Sequence, residues 1–235
     1  MHFLNALSIA LVSLVAAAGA APHKGWQPKA TNCPLDKAVL PQVTDFQPGA
    51  KNLSPPSVAN KVPTRVVLGK GTQNYTCAGN TAADMPAAYG AHALLYDVSC
   101  LAQYKPELLH KIPDHVYALP ENMAEYCSDE LSEFVRDNVQ VGEHLFTTMT
   151  TPVFTFRGGK DIFYGKKMEG VSAPSRAAQG KNGAVDWLKL DSIAGTHGFK
   201  EVYRVVTASG KAPATCEGQK PEFEVPYAAE YWFYN

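Results

Sequence analysis

The sequence predicts an all-β domain, a sandwich or barrel of short, mostly antiparallel strands with one accessory helix at about 122–138. Three observations lead there. The 235 residues include 18 Gly and 17 Pro, a turn-rich composition. Short runs of β-branched and aromatic residues recur between those turn residues. No strand–helix alternation follows, which a parallel α/β sheet would require.

The chain opens on an apolar run, Phe3 to Ala17, broken only by Asn5, Ser8 and Ser13 and closed by Ala18-Gly19-Ala20. Small residues at Ala18 and Ala20 fit the pocket of signal peptidase, so residues 1–20 read as a signal peptide. The run is short, Ala-rich and followed by prolines, so no membrane anchor is expected. The chain reads as secreted, extracellular or bound to the cell wall. Residues 21–62 follow as an extended arm. Pro22, Pro28, Pro34, Pro41, Pro48, Pro55 and Pro56 punctuate it and block regular pairing.

Residues 63–235 form the single β-rich domain. Arg65–Gly69 reads as a strand, with Thr72–Cys77 as its continuation or hairpin partner. Tyr89–Tyr96 is the next strand. Residues 104–120 carry Pro106, Pro113 and Pro120 and read as irregular. Met123, Tyr126, Cys127, Leu131, Phe134 and Val135 then recur at helical spacing, with Asp129, Glu130 and Glu133 opposite. Further strands are expected at 151–156, 161–166, 184–190, 201–206 and 225–234. Gly158-Gly159 marks a hairpin between the first two, and residues 170–183 read as a surface loop. The last strand is apolar on both faces, with Tyr227, Ala229, Tyr231 and Phe233 on one side and Trp232 and Tyr234 on the other. A strand covered on both sides is expected inside a sandwich or barrel.

Composition narrows function. With 21 basic and 22 acidic residues and a net charge of −1, the chain lacks the basic stripe of a nucleic-acid binder. Cys33, Cys77, Cys100, Cys127 and Cys216 form no paired C-x-x-C, so no metal site is expected; in an exported chain they read as disulfides of open connectivity. Five is odd. Cys127, at the start of the expected helix, is assigned as the free thiol, leaving Cys33, Cys77, Cys100 and Cys216 to pair. Asn74-Tyr75-Thr76 is a glycosylation sequon, and Asn52-Leu53-Ser54 is a second, weakened by Pro55.

The chemistry-bearing residues are sparse. There is no Gly-x-Ser-x-Gly elbow. His110 and His115 flank Pro113 and read as surface residues. A glycan hydrolase would need two carboxylates across a groove, for which Asp97, Asp186, Glu201 and Glu230 are the candidates. A binder would need aromatic faces and polar groups; Trp187, Tyr203, Tyr231 and Trp232 supply the first. His144, Asp186, Arg204 and Glu230 are polar residues set in apolar strands, so they either pair with one another or line a pocket. The candidate binding set is therefore His144, Asp186, Trp187, Arg204 and Glu230.

Several segments carry a family resemblance. They are Gly71–Cys77, Leu95–Cys100, Gly142–Phe146, Gly165–Lys167, Gly183–Leu188, Glu201–Val205, Pro213–Cys216 and Tyr227–Tyr234. In this order, over about 63–235, the chain resembles a family of mainly fungal secreted proteins with a domain of unknown function, members of which often carry the label malate dehydrogenase. Cys127 departs from that pattern. The resemblance implies a shared β-rich exported domain and no particular activity. The label fails on the residues: the nearest match to a dinucleotide fingerprint, Gly69-Lys70-Gly71-Thr72-Gln73-Asn74, lacks the third glycine and runs into a strand-like segment. No cofactor is expected. The expected function is non-catalytic binding outside the cell, to a wall polysaccharide or a host molecule; the competing one is a secreted glycan hydrolase.

Overall fold

The computed structural model describes residues 33–119, 122 and 139–235. The expected signal peptide and, apart from Asn122, the helix expected at 122–138 with Cys127 lie outside the described residues. Eight strands close into one antiparallel barrel in which every strand pairs with its neighbours in sequence and β1 pairs with β8. They are β1 (Arg65–Thr76), β2 (Ala87–Asp97), β3 (Gln140–Thr148), β4 (Thr151–Phe156), β5 (Ile162–Val171), β6 (Trp187–Ser192), β7 (Glu201–Ser209) and β8 (Glu222–Tyr234). The choice between sandwich and barrel is thus made for the barrel.

Alternation along the strands separates two apolar layers. Val67, Leu95, Phe154, Phe163, Leu190, Val202, Tyr231 and Phe233 point inward and pack together. Val66, Leu68, Tyr203, Val205, Trp232 and Tyr234 point outward, yet are equally buried. A second layer covers them. It consists of residues 35–58, including α1 (Val43–Phe46), and of α2 (Ser99–Tyr104), α3 (Pro106–Leu109) and α4 (Ile112–Val116). This explains why β8 is apolar on both faces.

Four segments take a form that the sequence left open or did not predict. Residues 65–76 form one unbroken strand. Residues 104–119 hold short helices, because Pro106 and Pro113 sit in the first turns of α3 and α4, where no N–H is needed. The strand β3 was not expected from alternation: His144 points inward while the apolar Leu145 is only half-buried, which inverts the usual pattern. Finally, residues 33–62 lie against the barrel, with Leu35, Leu40, Val43, Leu53 and Val58 buried. Ser54 N donates to Glu169, Ser57 N to Glu201, and Tyr203 Oη to Ser54 O.

The disulfides pair Cys33 with Cys100 and Cys77 with Cys216. The first ties the arm to α2; the second ties the end of β1 to the loop between β7 and β8. The hairpin at Gly158-Gly159 forms as expected, both glycines holding positive φ of 91° and 67°.

Candidate functional site

The barrel is filled unevenly. At the end bounded by the β4–β5 and β6–β7 loops, Phe154, Phe156, Phe199 and Phe233 form a plug, with ring centroids 4.9–5.3 Å apart around Phe233. Small residues on β1, β2 and β8 (Gly69, Ala91, Ala93, Ala229) line the wall beyond it. A Cβ at Gly69 would stand 2.5 Å from Tyr231 Cε2, so glycine is what lets this ring lie flat against β1.

The other half holds a cavity of about 280 Å³ lined by His144, Phe146, Phe154, Lys167, Arg204 and Tyr231, with Leu188 and Leu190. His144 is 3% exposed. Its Nδ1 lies 2.9 Å from Val153 O, a carbonyl that can only accept, so Nδ1 carries the proton. The imidazole stacks on Phe154 at 4.1 Å and 7°. Burial, seconded by the nearby charges of Arg204 and His92, lowers its pKa to about 3 despite the Val153 bond. It is a neutral imidazole at ordinary pH. Arg204 donates from Nε and Nη2 to Asp186 O at 3.1 and 2.9 Å, which fixes the guanidinium. Tyr231 is fully buried; burial raises its pKa, against the pull of Arg204, and its hydroxyl lies 3.0 Å from that of Tyr227.

His144 and Arg204 therefore share one cavity. Asp186 contributes its backbone carbonyl, while its carboxylate faces Lys211 at 3.7 Å on the surface. Trp187 and Glu230 lie on the outer side of the barrel wall. Trp187 is 1% exposed and packs edge-on against Phe46 of the arm. Glu230 is fully buried, accepts from Trp232 Nε1 at 2.9 Å and meets His110 Nδ1 at 2.8 Å. His110 is thus no surface residue: burial disfavours its charged form, but the Glu230 charge and hydrogen bond win and its pKa is raised. His115 is exposed. A smaller cleft of about 200 Å³ runs beside this pair, between Phe46, Arg176, Trp187 and Val206. Val206 holds φ of 45° there, at a bulge in β7.

The four candidate carboxylates each have their own partner. Asp97 is buried and accepts from Ser99 N at 2.8 Å; burial raises its pKa. Glu201 pairs with Lys189 at 3.1 Å. Asp186 and Glu230 have the partners given above. Among the described residues no two of them share one. The four aromatics available for sugar stacking (Trp187, Tyr203, Tyr231 and Trp232) are each at most 1% exposed, so none of them forms a surface platform, and of the four only Tyr231 borders the cavity.

The sequence missed Lys167 and Phe146 as site residues, because only closure of the barrel brings β3 and β5 to β7. Of the sequons, Asn52 binds Thr44 through both atoms of its amide, and Asn74 is half-buried in β1. Among the described residues, no group of three His, Cys, Asp or Glu is placed to hold a metal ion, and no helix is long and apolar enough to cross a membrane.

A family model described as "Protein of unknown function (DUF3455)" matches residues 58–235. The chain belongs to the DUF3455 family. No curated protein and no solved structure matches it. The DUF3455 match covers the whole barrel, together with the end of the arm. In this DUF3455 barrel the Gly69–Asn74 segment lies inside β1, paired to β2 and β8 on its two sides. It forms no strand-to-helix turn, so no helix N-terminus stands ready for a pyrophosphate.

Proposed function

We propose that this DUF3455 protein acts outside the cell by binding rather than catalysis, and that the half-filled barrel is its ligand site. The observation that carries the reading is the cavity of about 280 Å³ inside a closed eight-stranded barrel, walled by aromatic rings and supplied with His144, Arg204 and Tyr231. Barrels of eight strands are just wide enough to hold one small ligand. The two disulfides support an oxidising, extracellular setting. The separate partners of Asp97, Asp186, Glu201 and Glu230 argue against a glycosidase pair. A cup of this size suits a small molecule or a single terminal group better than a polysaccharide chain laid along a surface.

The test is native mass spectrometry of protein purified from culture supernatant, run beside pull-downs on insoluble chitin and β-glucan and a broad glycosidase screen. A small molecule retained by the folded protein, without turnover of any glycan, supports the proposal. Glycan turnover lost in Asp186→Asn or Glu230→Gln overturns it.

A further inference from the structure

We infer that the barrel cavity takes a small aromatic carboxylate that also carries a hydroxyl group; this rests on the barrel being the ligand site. Charge comes first. Arg204 and Lys167 both line the cavity, and none of the described residues that line it is acidic. Among the described residues, no carboxylate lies within ion-pair distance of either cation. Arg204 is held by the Asp186 carbonyl, which takes two of its five N–H groups, and by a hydrogen bond to the Tyr231 hydroxyl. The N–H groups that remain on this fixed guanidinium are suited to a carboxylate, which they meet with charge-assisted hydrogen bonds. Lys167 is exposed and also borders the cavity.

Shape comes next. Phe146, Phe154 and Tyr231 surround the His144 ring at centroid distances of 5.4, 4.1 and 5.6 Å. Such walls favour a flat apolar body, and a volume of about 280 Å³ limits it to something smaller than a drug-sized ligand. Depth supplies the last element. His144 Nδ1 is spent on Val153 O, and Nε2 has no partner among the described residues. A neutral imidazole whose Nδ1 carries the proton presents Nε2 as an acceptor, so it favours a ligand that brings a donor, and a hydroxyl provides one.

The probes are 4-hydroxybenzoate and its uncharged counterpart 4-hydroxybenzamide, titrated by calorimetry into the full-length secreted protein at neutral pH. The acid should bind and the amide should bind about tenfold more weakly or worse, the usual weight of a charge-assisted contact. Lys167→Ala changes an exposed side chain and leaves the fold intact; it should weaken the acid several-fold and leave the amide unmoved. Arg204→Gln should abolish preference for the acid, with its melting curve recorded alongside. Equal affinity for acid and amide, or a Lys167→Ala protein that keeps its full preference, overturns the inference. If both probes bind equally and Leu188→Trp, which fills the cavity, removes both, the binding site stands while its anion preference falls. If neither probe binds, the inference falls, and the ligand retained in native mass spectrometry judges the wider proposal.

Discussion

His144 makes stability depend on acid in a way that can be isolated. The folded protein holds its imidazole neutral, with a pKa of about 3, against the ordinary 6.5. Above the ordinary value both folded and unfolded chains carry a neutral ring, and His144 contributes no pH dependence. As pH falls below it, the unfolded chain takes up a proton that the folded barrel refuses, so stability is lost. By linkage, the loss is about 2 kcal/mol at pH 5 and about 4 kcal/mol at pH 3, levelling off below that. The perturbation is His144→Phe, which keeps a flat ring against Phe154 and cannot titrate. It gives up the Val153 bond, a penalty that does not change with pH. The assay is urea unfolding followed by tryptophan fluorescence, at steps from pH 7 down to pH 4.5, for both proteins. Every other titrating group is common to the two, so the difference between their slopes belongs to position 144. The wild type should lose about 2 kcal/mol more than His144→Phe between pH 7 and pH 5. Parallel pH profiles would refute the assignment of a buried neutral imidazole.

Three further outcomes are expected. Gly69→Val places side-chain carbon against the Tyr231 ring and should destabilise the barrel by about 1–3 kcal/mol, read by denaturant melts, while displacing Tyr231 and weakening any cavity ligand. The His110–Glu230 pair contributes stability that is full below the ordinary histidine pKa and is lost as pH rises through the raised folded value; in Glu230→Gln the His110 ring signal, followed by NMR, should titrate at lower pH than in the wild type. Cys33→Ser frees the arm from α2 and should cost about 2–4 kcal/mol, with limited proteolysis cutting near residues 33–42 before the barrel is touched.

Much of the barrel was legible in the chain, because strand alternation and turn chemistry are local. Residues 151–156 and the Gly158-Gly159 hairpin show it: a short apolar run and two residues able to hold positive φ suffice. The double-sided apolarity of 225–234 likewise announced a strand covered on both faces. The resemblance over 63–235 agrees with the family match at 58–235. Where a residue's surroundings come from distant chain, the signal was absent. Strand β3 has an inward histidine and an outward leucine, which no periodicity argument reads as a strand.

By itself the sequence singled out His144, Asp186, Arg204 and Glu230 as polar residues among apolar ones. Only the tertiary structure decided what each of them does. The side-chain period of a strand is two, so Tyr231 and Glu230 sit on opposite faces of one wall. One meets Arg204 in the cavity; the other meets His110 beneath the arm. Cysteine pairing follows the same rule: the four cysteines were countable, but Cys33–Cys100 and Cys77–Cys216 required the arm and the closing loop to be in place. Barrel closure brings β1 to β8 and thereby leaves one half packed with phenylalanine and the other hollow. That division depends on side-chain volumes summed across eight strands, and no single stretch of chain contains it.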